Sequence, residues 1–411
     1  MKVVFNDEQM SFQTLRLLSE IPSGLADVNE VIGTARKITE GSYESWCAEW
    51  TKTADRVREQ AEQFLKGGHR LSAAETFLRA CNYYRTAGFY RGLLIADGCG
   101  AEVRENLEKL DRLSLKCFSK VIQYGKTKIE PIEVPYENTA LAGHFYRLPS
   151  ETDFKTAPTL VMINGYDGTK EEMYGCALEA LKRGMNCFAF EGPGQGEMIR
   201  TRGIPFRPDW ENVVTPVLDY LIGELGVAPD RIVLWGESMG GYLAPRAAAF
   251  DHRAAACVAN SGVYDFMGTR GPKGIDRNTY FGMIEQMPAA DFEAIIKKQM
   301  DLVVQLSWAL KHGMYVFQAK NLKDYFLKAK DYYMGDAAAQ IACPTLVIDT
   351  EGENNFPGQA KTLFDALTCL KDYLLVTEQE GAEEHCEEGA KLYANCRIFD
   401  WIEDTLNRIS Q

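Results

Sequence analysis

RIVLWGESMGGYLAPRAAAF, residues 231–250, decides how the rest of the chain is read. RIVLW is a strand-like apolar run, and GYLAPRAAAF reads as a helix. Between them, GESMGG (236–241) fits G-x-S-x-G at a strand-to-helix turn. A serine on such a turn needs cramped backbone angles and no bulky neighbours, and Gly236 and Gly240 leave that room. Ser238 is then expected at the carboxyl edge of a sheet, beside the N–H groups and positive dipole end of a helix. That position suits a nucleophile whose attack builds up negative charge.

Working outward, similar apolar runs alternate with helical stretches. TLVMIN (159–164), NCFAF (186–190), AAACVAN (254–260), PTLVIDT (344–350) and DYLLVTE (372–378) are short and almost wholly apolar. Strands of that kind separated by helices imply an α/β class, with a mostly parallel sheet covered by helices on both faces. KIEPIEVPYENTALAGHFYRL adds two strands joined by a turn. Residues 1–125 read as a helical N-terminal cap domain, and 126–411 as the catalytic domain. SYESWCAEWTKTADRVREQAEQFLKGG has helical spacing and ends on Gly67–Gly68, a C-cap signal. Trp46, Trp50, Tyr83 and Tyr84 read first as helix-packing core and second as a ligand-pocket lining. Residues 265–340 carry no strand signal and read as a helical insertion, or lid, before the strand PTLVIDT.

A serine nucleophile needs a base, and the chain has five histidines. In this strand order the sequence runs serine, acid, histidine. Only His385, in EGAEEHC, follows both the elbow and PTLVIDT. The orienting acid belongs in the loop EGENNFPG, where Glu353 is preferred over Glu351 and over Asp349 inside the strand. A second oxyanion donor is expected after TLVMIN, in NGYDGTKEE. There the N–H of Tyr166, with that of Met239, would form the hole. Asp167, Glu171 and Glu172 in the same loop read by default as acids at a helix start.

FEGPGQGEM (190–198) resembles a phosphate-binding loop at first sight. Its glycines run G-x-G-x-G, no GK[ST] follows, and Glu191 and Glu197 flank it. It reads instead as a bend near the site's rim.

A net charge of −13 argues against nucleic-acid partners. The N-terminus carries no signal-peptide pattern, and no apolar run approaches the roughly 20 residues that span a bilayer. Eleven scattered cysteines without a CxxC pair read as reduced thiols in a cytoplasmic protein.

NGYDGTKEE, FEGPGQGE, GESMGG, CPTLVIDTEGENNFPGQ and GAEEHC occur in an order that resembles one α/β-hydrolase group. It includes 2,6-dihydropseudooxynicotine hydrolase, fungal pigment hydrolases that shorten a polyketide chain, and the fermentation–respiration switch protein. The resemblance covers roughly residues 130–400. It implies Ser238 as nucleophile, His385 as base and an acid in TEGENNFPGQ, where many members have Asp in place of Glu353. It implies a substrate-positioning role for Asp167, where one carbon–carbon hydrolase has a functional glutamate. It also implies a homodimer. The expected substrate is a small apolar or aromatic carbonyl compound, with no cofactor, metal or membrane required. The resemblance favours hydrolysis of a carbon–carbon bond in a β-diketone or polyketide-like aromatic ketone. A carboxylesterase, thioesterase or acyl-transferring cyclase on the same residues is the alternative. A non-catalytic binding protein on this scaffold is a third reading.

Overall fold

The computed structural model describes residues 2–96, 100–149, 153–272, 274–301 and 304–409. The chain divides into two units, one of residues 1–128 with 287–325 and the other of 129–286 with 326–411.

The second unit holds an eight-stranded sheet. Its strands are β1 (Ile129–Tyr136), β2 (Thr139–Tyr146), β3 (Thr159–Ile163), β4 (Asn186–Phe190), β5 (Ile232–Glu237), β6 (Ala256–Asn260), β7 (Thr345–Thr350) and β8 (Lys371–Val376). Their order is β1-β2-β4-β3-β5-β6-β7-β8. The hairpin β1–β2 is antiparallel and joins β4 antiparallel, while β3 to β8 run parallel. Every residue of β3, β4 and β6 is buried, which is why these strands are apolar throughout rather than alternating. β8, at the sheet edge, is buried only at Val376. Helices cover both faces. Tyr174–Lys182 packs with Lys391–Ile409, and Glu211–Gly223 packs with Gly240–Phe250.

The chain reverses direction across the sheet at β3. β4 lies to one side of β3 and β5 to the other, so their connections diverge and leave a crevice at the carboxyl ends of β3 and β5. Register keeps those ends level, since Ile163 faces Phe190 on one side and Gly236 on the other.

The first unit is helical. Helices Tyr43–Lys66, Arg70–Ala87 and Ala101–Tyr124 pack side by side. The first ends at Gly67, the expected cap. Trp46, Trp50, Tyr83 and Tyr84 are fully buried between them, with Trp46 Nε1 donating to the Thr86 carbonyl and Tyr83 Oη donating to Glu30. They are therefore core residues. The sequence assigns all of 265–340 to the catalytic domain, yet 287–325 groups with the N-terminal helices. The cause is visible in side chains: Trp308 stacks on Phe89 with ring centres 5.1 Å apart. In the same unit, Arg91 makes a buried two-pronged ion pair with Asp111, at 2.8 and 2.6 Å.

No helix among the described residues is long and apolar enough to cross a membrane. None of the described cysteines is in a disulfide.

Candidate active site

The elbow forms as the glycine spacing requires. β5 ends at Glu237, and the next helix begins at Gly240. Ser238 between them has φ of 59°, a left-handed conformation that costs a non-glycine residue on the order of 1 kcal/mol. Side chains at the flanking glycines would collide with backbone: a Cβ at Gly236 meets the Gly240 carbonyl, and one at Gly240 meets that of Ile163. The turn is thus wedged against β3, and Ser238 projects from it half-buried. The Met239 N–H heads the helix beside it.

His385 reaches this serine from 147 positions downstream, its Nε2 2.8 Å from Ser238 Oγ. On its other side, Nδ1 lies 2.5 Å from Glu353 Oε2. Of the three acids left open by the sequence, Glu353 is the one that meets His385. Glu351 instead accepts from the Glu378 N–H, and Asp349 accepts from the Tyr373 hydroxyl. Glu353 is held in turn. Its Oε1 accepts the N–H groups of Asn355 and Phe356, at 2.8 and 3.0 Å, and its Oε2 accepts the Ser261 hydroxyl at 2.6 Å.

Burial alone would raise the Glu353 carboxyl. The charge and hydrogen bond of His385, with those from Ser261 and the Phe356 N–H, outweigh it and hold Glu353 at about 2. Burial likewise opposes a charged His385, but Cys386 and Glu353 raise it above its usual value. Cys386 Sγ sits 3.4 Å from Nε2, and burial pushes this thiol up, so it stays protonated at neutral pH. The effective partner of an imidazolium here is therefore the Glu353 carboxylate.

Behind the histidine, Cys386 and Glu387 are both left-handed, with φ of 53° and 52°. This sharp turn sends Glu387 into the interior, where its Oε2 accepts from Asn260 Nδ2 at 2.8 Å. Burial raises Glu387 to about 7, against the pull of Lys391. Lys391 itself bonds Glu237 Oε1 at 2.6 Å.

The loop after β3 approaches the serine from the other side. A Cβ on Gly165 would lie 2.8 Å from Ser238 Cβ. Tyr166 is buried, its ring stacked on Phe206 with centres 6.2 Å apart. Asp167 is half-buried, and its carbonyl accepts from Arg200 at 3.3 Å. Glu171 does not simply start a helix: it pairs with buried Lys170 at 3.0 Å. Lys170 also pairs with Glu191 and Glu197 of FEGPGQGEM, so those acids serve a buried ammonium. Ser261, Glu387, Lys170 and Gln195 went unread in the sequence, because their partners lie far along the chain or on loops without a marker. Among the described residues no cluster of His, Cys, Asp and Glu could hold a metal ion.

The sequence profile of the "Alpha/beta hydrolase family" matches residues 160–389. The chain is 34% identical over 431 residues to "Hydrolyase ccsE" of Aspergillus clavatus, covering 98% of each chain. It is 28% identical over 427 residues to "20-hydroxy-prefusarin hydrolase FUS2" of Gibberella moniliformis, again covering 98% of each. Among solved structures, the "2,6-dihydroxy-pseudo-oxynicotine Hydrolase" superposes with a TM-score of 0.72 at 22% identity, covering 95% of each chain. The chain therefore belongs to the α/β-hydrolase family and is an enzyme of that hydrolase type.

Proposed function

We propose that this enzyme is a serine hydrolase working through an acyl-enzyme, with a carbon–carbon bond of a β-diketone or polyketide-like aromatic ketone as its target. The observation that carries the reading is one imidazole bridging Ser238 Oγ at 2.8 Å and Glu353 at 2.5 Å. Glu353, ionised at neutral pH, accepts Nδ1–H and so leaves Nε2 as the base. His385 takes the Ser238 proton as Oγ attacks the substrate carbonyl. The resulting oxyanion is received by the N–H groups of Tyr166 and Met239. Collapse breaks the bond to the neighbouring carbon, whose electron pair is delocalised as an enolate by the second carbonyl. His385 returns its proton to that carbon. Water, activated by the same imidazole, then releases the acid and restores Ser238.

Aromatic rings support a planar, apolar acyl group. Phe356 lies 5.9 Å from the His385 ring, Phe266 5.7 Å from Phe356, and Tyr166 5.6 Å from Phe266, measured between centres. The relative named for 20-hydroxy-prefusarin supports an elaborate secondary metabolite as substrate. Asp167, half-buried in the loop after β3, is assigned to substrate positioning.

The test is active-site labelling with a fluorophosphonate, followed by product analysis on an aromatic β-diketone and on an aryl ester. Wild type is expected to be labelled and Ser238→Ala to stay folded and unlabelled. An unlabelled wild type refutes the serine chemistry. Turnover of the ester alone refutes the carbon–carbon assignment and leaves an esterase.

A further inference from the structure

The FEGPGQGEM bend is absorbed by no step above, yet one of its side chains reaches the oxyanion loop. Gln195 is fully buried, and every polar group of its amide is used. Nε2 donates to the carbonyls of Asn164, at 2.5 Å, and Gly165, at 3.1 Å. Oε1 accepts the Gly192 N–H at 3.0 Å. The amide fits in this orientation alone, since the flipped one would face its oxygen to two carbonyls and its NH₂ to an N–H.

The peptide that Gln195 grips is the one whose N–H belongs to Tyr166. In a trans peptide the C=O and N–H point in opposite directions. Holding the Gly165 carbonyl toward Gln195 therefore turns the Tyr166 N–H away from it. The Gly165 backbone carrying that peptide lies against Ser238, with a Cβ position 3.2 Å from Oγ. Glycine at 165 makes this peptide easy to rotate, so something must fix it. Asn164 holds the preceding side: its Oδ1 accepts the Gly165 N–H at 2.7 Å, and its Nδ2 donates to the Thr169 carbonyl at 3.0 Å.

Gln195 is itself anchored. Glu191 accepts the N–H of Lys170 at 3.0 Å and that of Glu197 at 2.8 Å, tying the loops after β3 and β4 together. Burial opposes a charge on Lys170, but Glu171, Glu191 and Glu197 outweigh it and push the ammonium up.

We propose that Gln195 is a positioning residue of the reaction, locking the Gly165–Tyr166 peptide so that the Tyr166 N–H is aimed at the developing oxyanion. This rests on the serine-hydrolase reading. It goes beyond it by giving the G-x-G-x-G bend a part in transition-state stabilisation.

The experiment compares wild type with Gln195→Met, which keeps length and volume without donors, and Gln195→Glu, which keeps shape. Three readouts are taken: fluorophosphonate labelling, steady-state kinetics on an aryl ester, and inhibition by an aryl trifluoromethyl ketone, whose adduct with Ser238 carries an oxyanion. In Gln195→Met, kcat is expected to fall about 100-fold with KM nearly unchanged, the scale of losing one oxyanion donor. The ketone's inhibition constant should rise by a similar factor, with the pH profile unmoved. Gln195→Glu, protonated among carbonyls and able to donate once, should fall between. Normal kcat and ketone affinity in Gln195→Met overturn the inference alone, while the labelled wild type upholds the hydrolase reading. Failure of both variants to fold assigns Gln195 a purely structural role and also overturns it. An unlabelled wild type overturns the hydrolase reading, and this inference with it.

Discussion

Glu387 is a buried carboxyl with one hydrogen bond too few. Its Oε2 accepts from Asn260 Nδ2, while Glu387 Oε1 and Asn260 Oδ1, both acceptors, have no partner among the described residues. A proton on Oε1 removes the cost of burying a charge and turns an unpartnered acceptor into a donor. Burial raises this acid from its ordinary 4.5 to about 7. The folded state then binds more protons than the unfolded state between those values, so stability falls as pH rises through that window. Each pH unit is worth about 1.4 kcal/mol, which gives about 3.5 kcal/mol over the whole window and about 3 kcal/mol above pH 5. Gln at 387 keeps the shape and neutrality of the protonated acid, with its oxygen accepting from Asn260, and it cannot ionise. The stability of Glu387→Gln relative to wild type is therefore expected to grow by about 3 kcal/mol between pH 5 and pH 8.5. Urea unfolding at both pH values measures it. The window lies above the range in which Glu353, held at about 2 in the folded state, loses its own contribution. A difference that stays constant with pH, or one that favours wild type at pH 8.5, refutes the reasoning.

Glu353→Gln should present an N–H to His385 Nδ1, forcing the tautomer that cannot accept the Ser238 proton. We expect kcat to drop about 10⁴-fold. In the wild type, His385 must be neutral to act and its pKa is raised, so the acid limb of kcat/KM lies above 6.5. Removing the carboxylate moves any residual acid limb to lower pH, as a pH–rate profile would record. In the helical unit, Arg91→Met removes the guanidinium that makes two hydrogen bonds to buried Asp111, at 2.8 and 2.6 Å. A loss of about 3–5 kcal/mol is expected in denaturant titration, with much of it recovered when Asp111→Leu is added.

The loops that carry Ser238, Glu353 and His385 were legible because they follow β5, β7 and β8, whose sequences stand out as short, largely apolar runs. NCFAF matches β4 residue for residue. Histidine is rare in this chain, which left one candidate base past the final strand. The acid was read as Glu353 with Glu351 and Asp349 left open, since a turn's local geometry decides which carboxylate faces inward. Ser261 and Glu387 escaped because each acts on a residue more than 90 positions away, at separations of 92 and 127. The reach of 287–325 into the helical unit escaped for a related reason. An amphipathic helix states that it needs cover, but Trp308 does not state that Phe89 will supply it.

The divergence of chain on either side of β3 has a consequence for how this enzyme can change. Ser238, Glu353 and His385 follow the carboxyl ends of β5, β7 and β8, whereas Asp167 and Phe206 sit on the connections after β3 and β4. Selection can lengthen, shorten or recolour those connections to admit a different molecule without retuning the chemistry. Directed evolution toward a new substrate should begin on those connections and leave the strand ends alone.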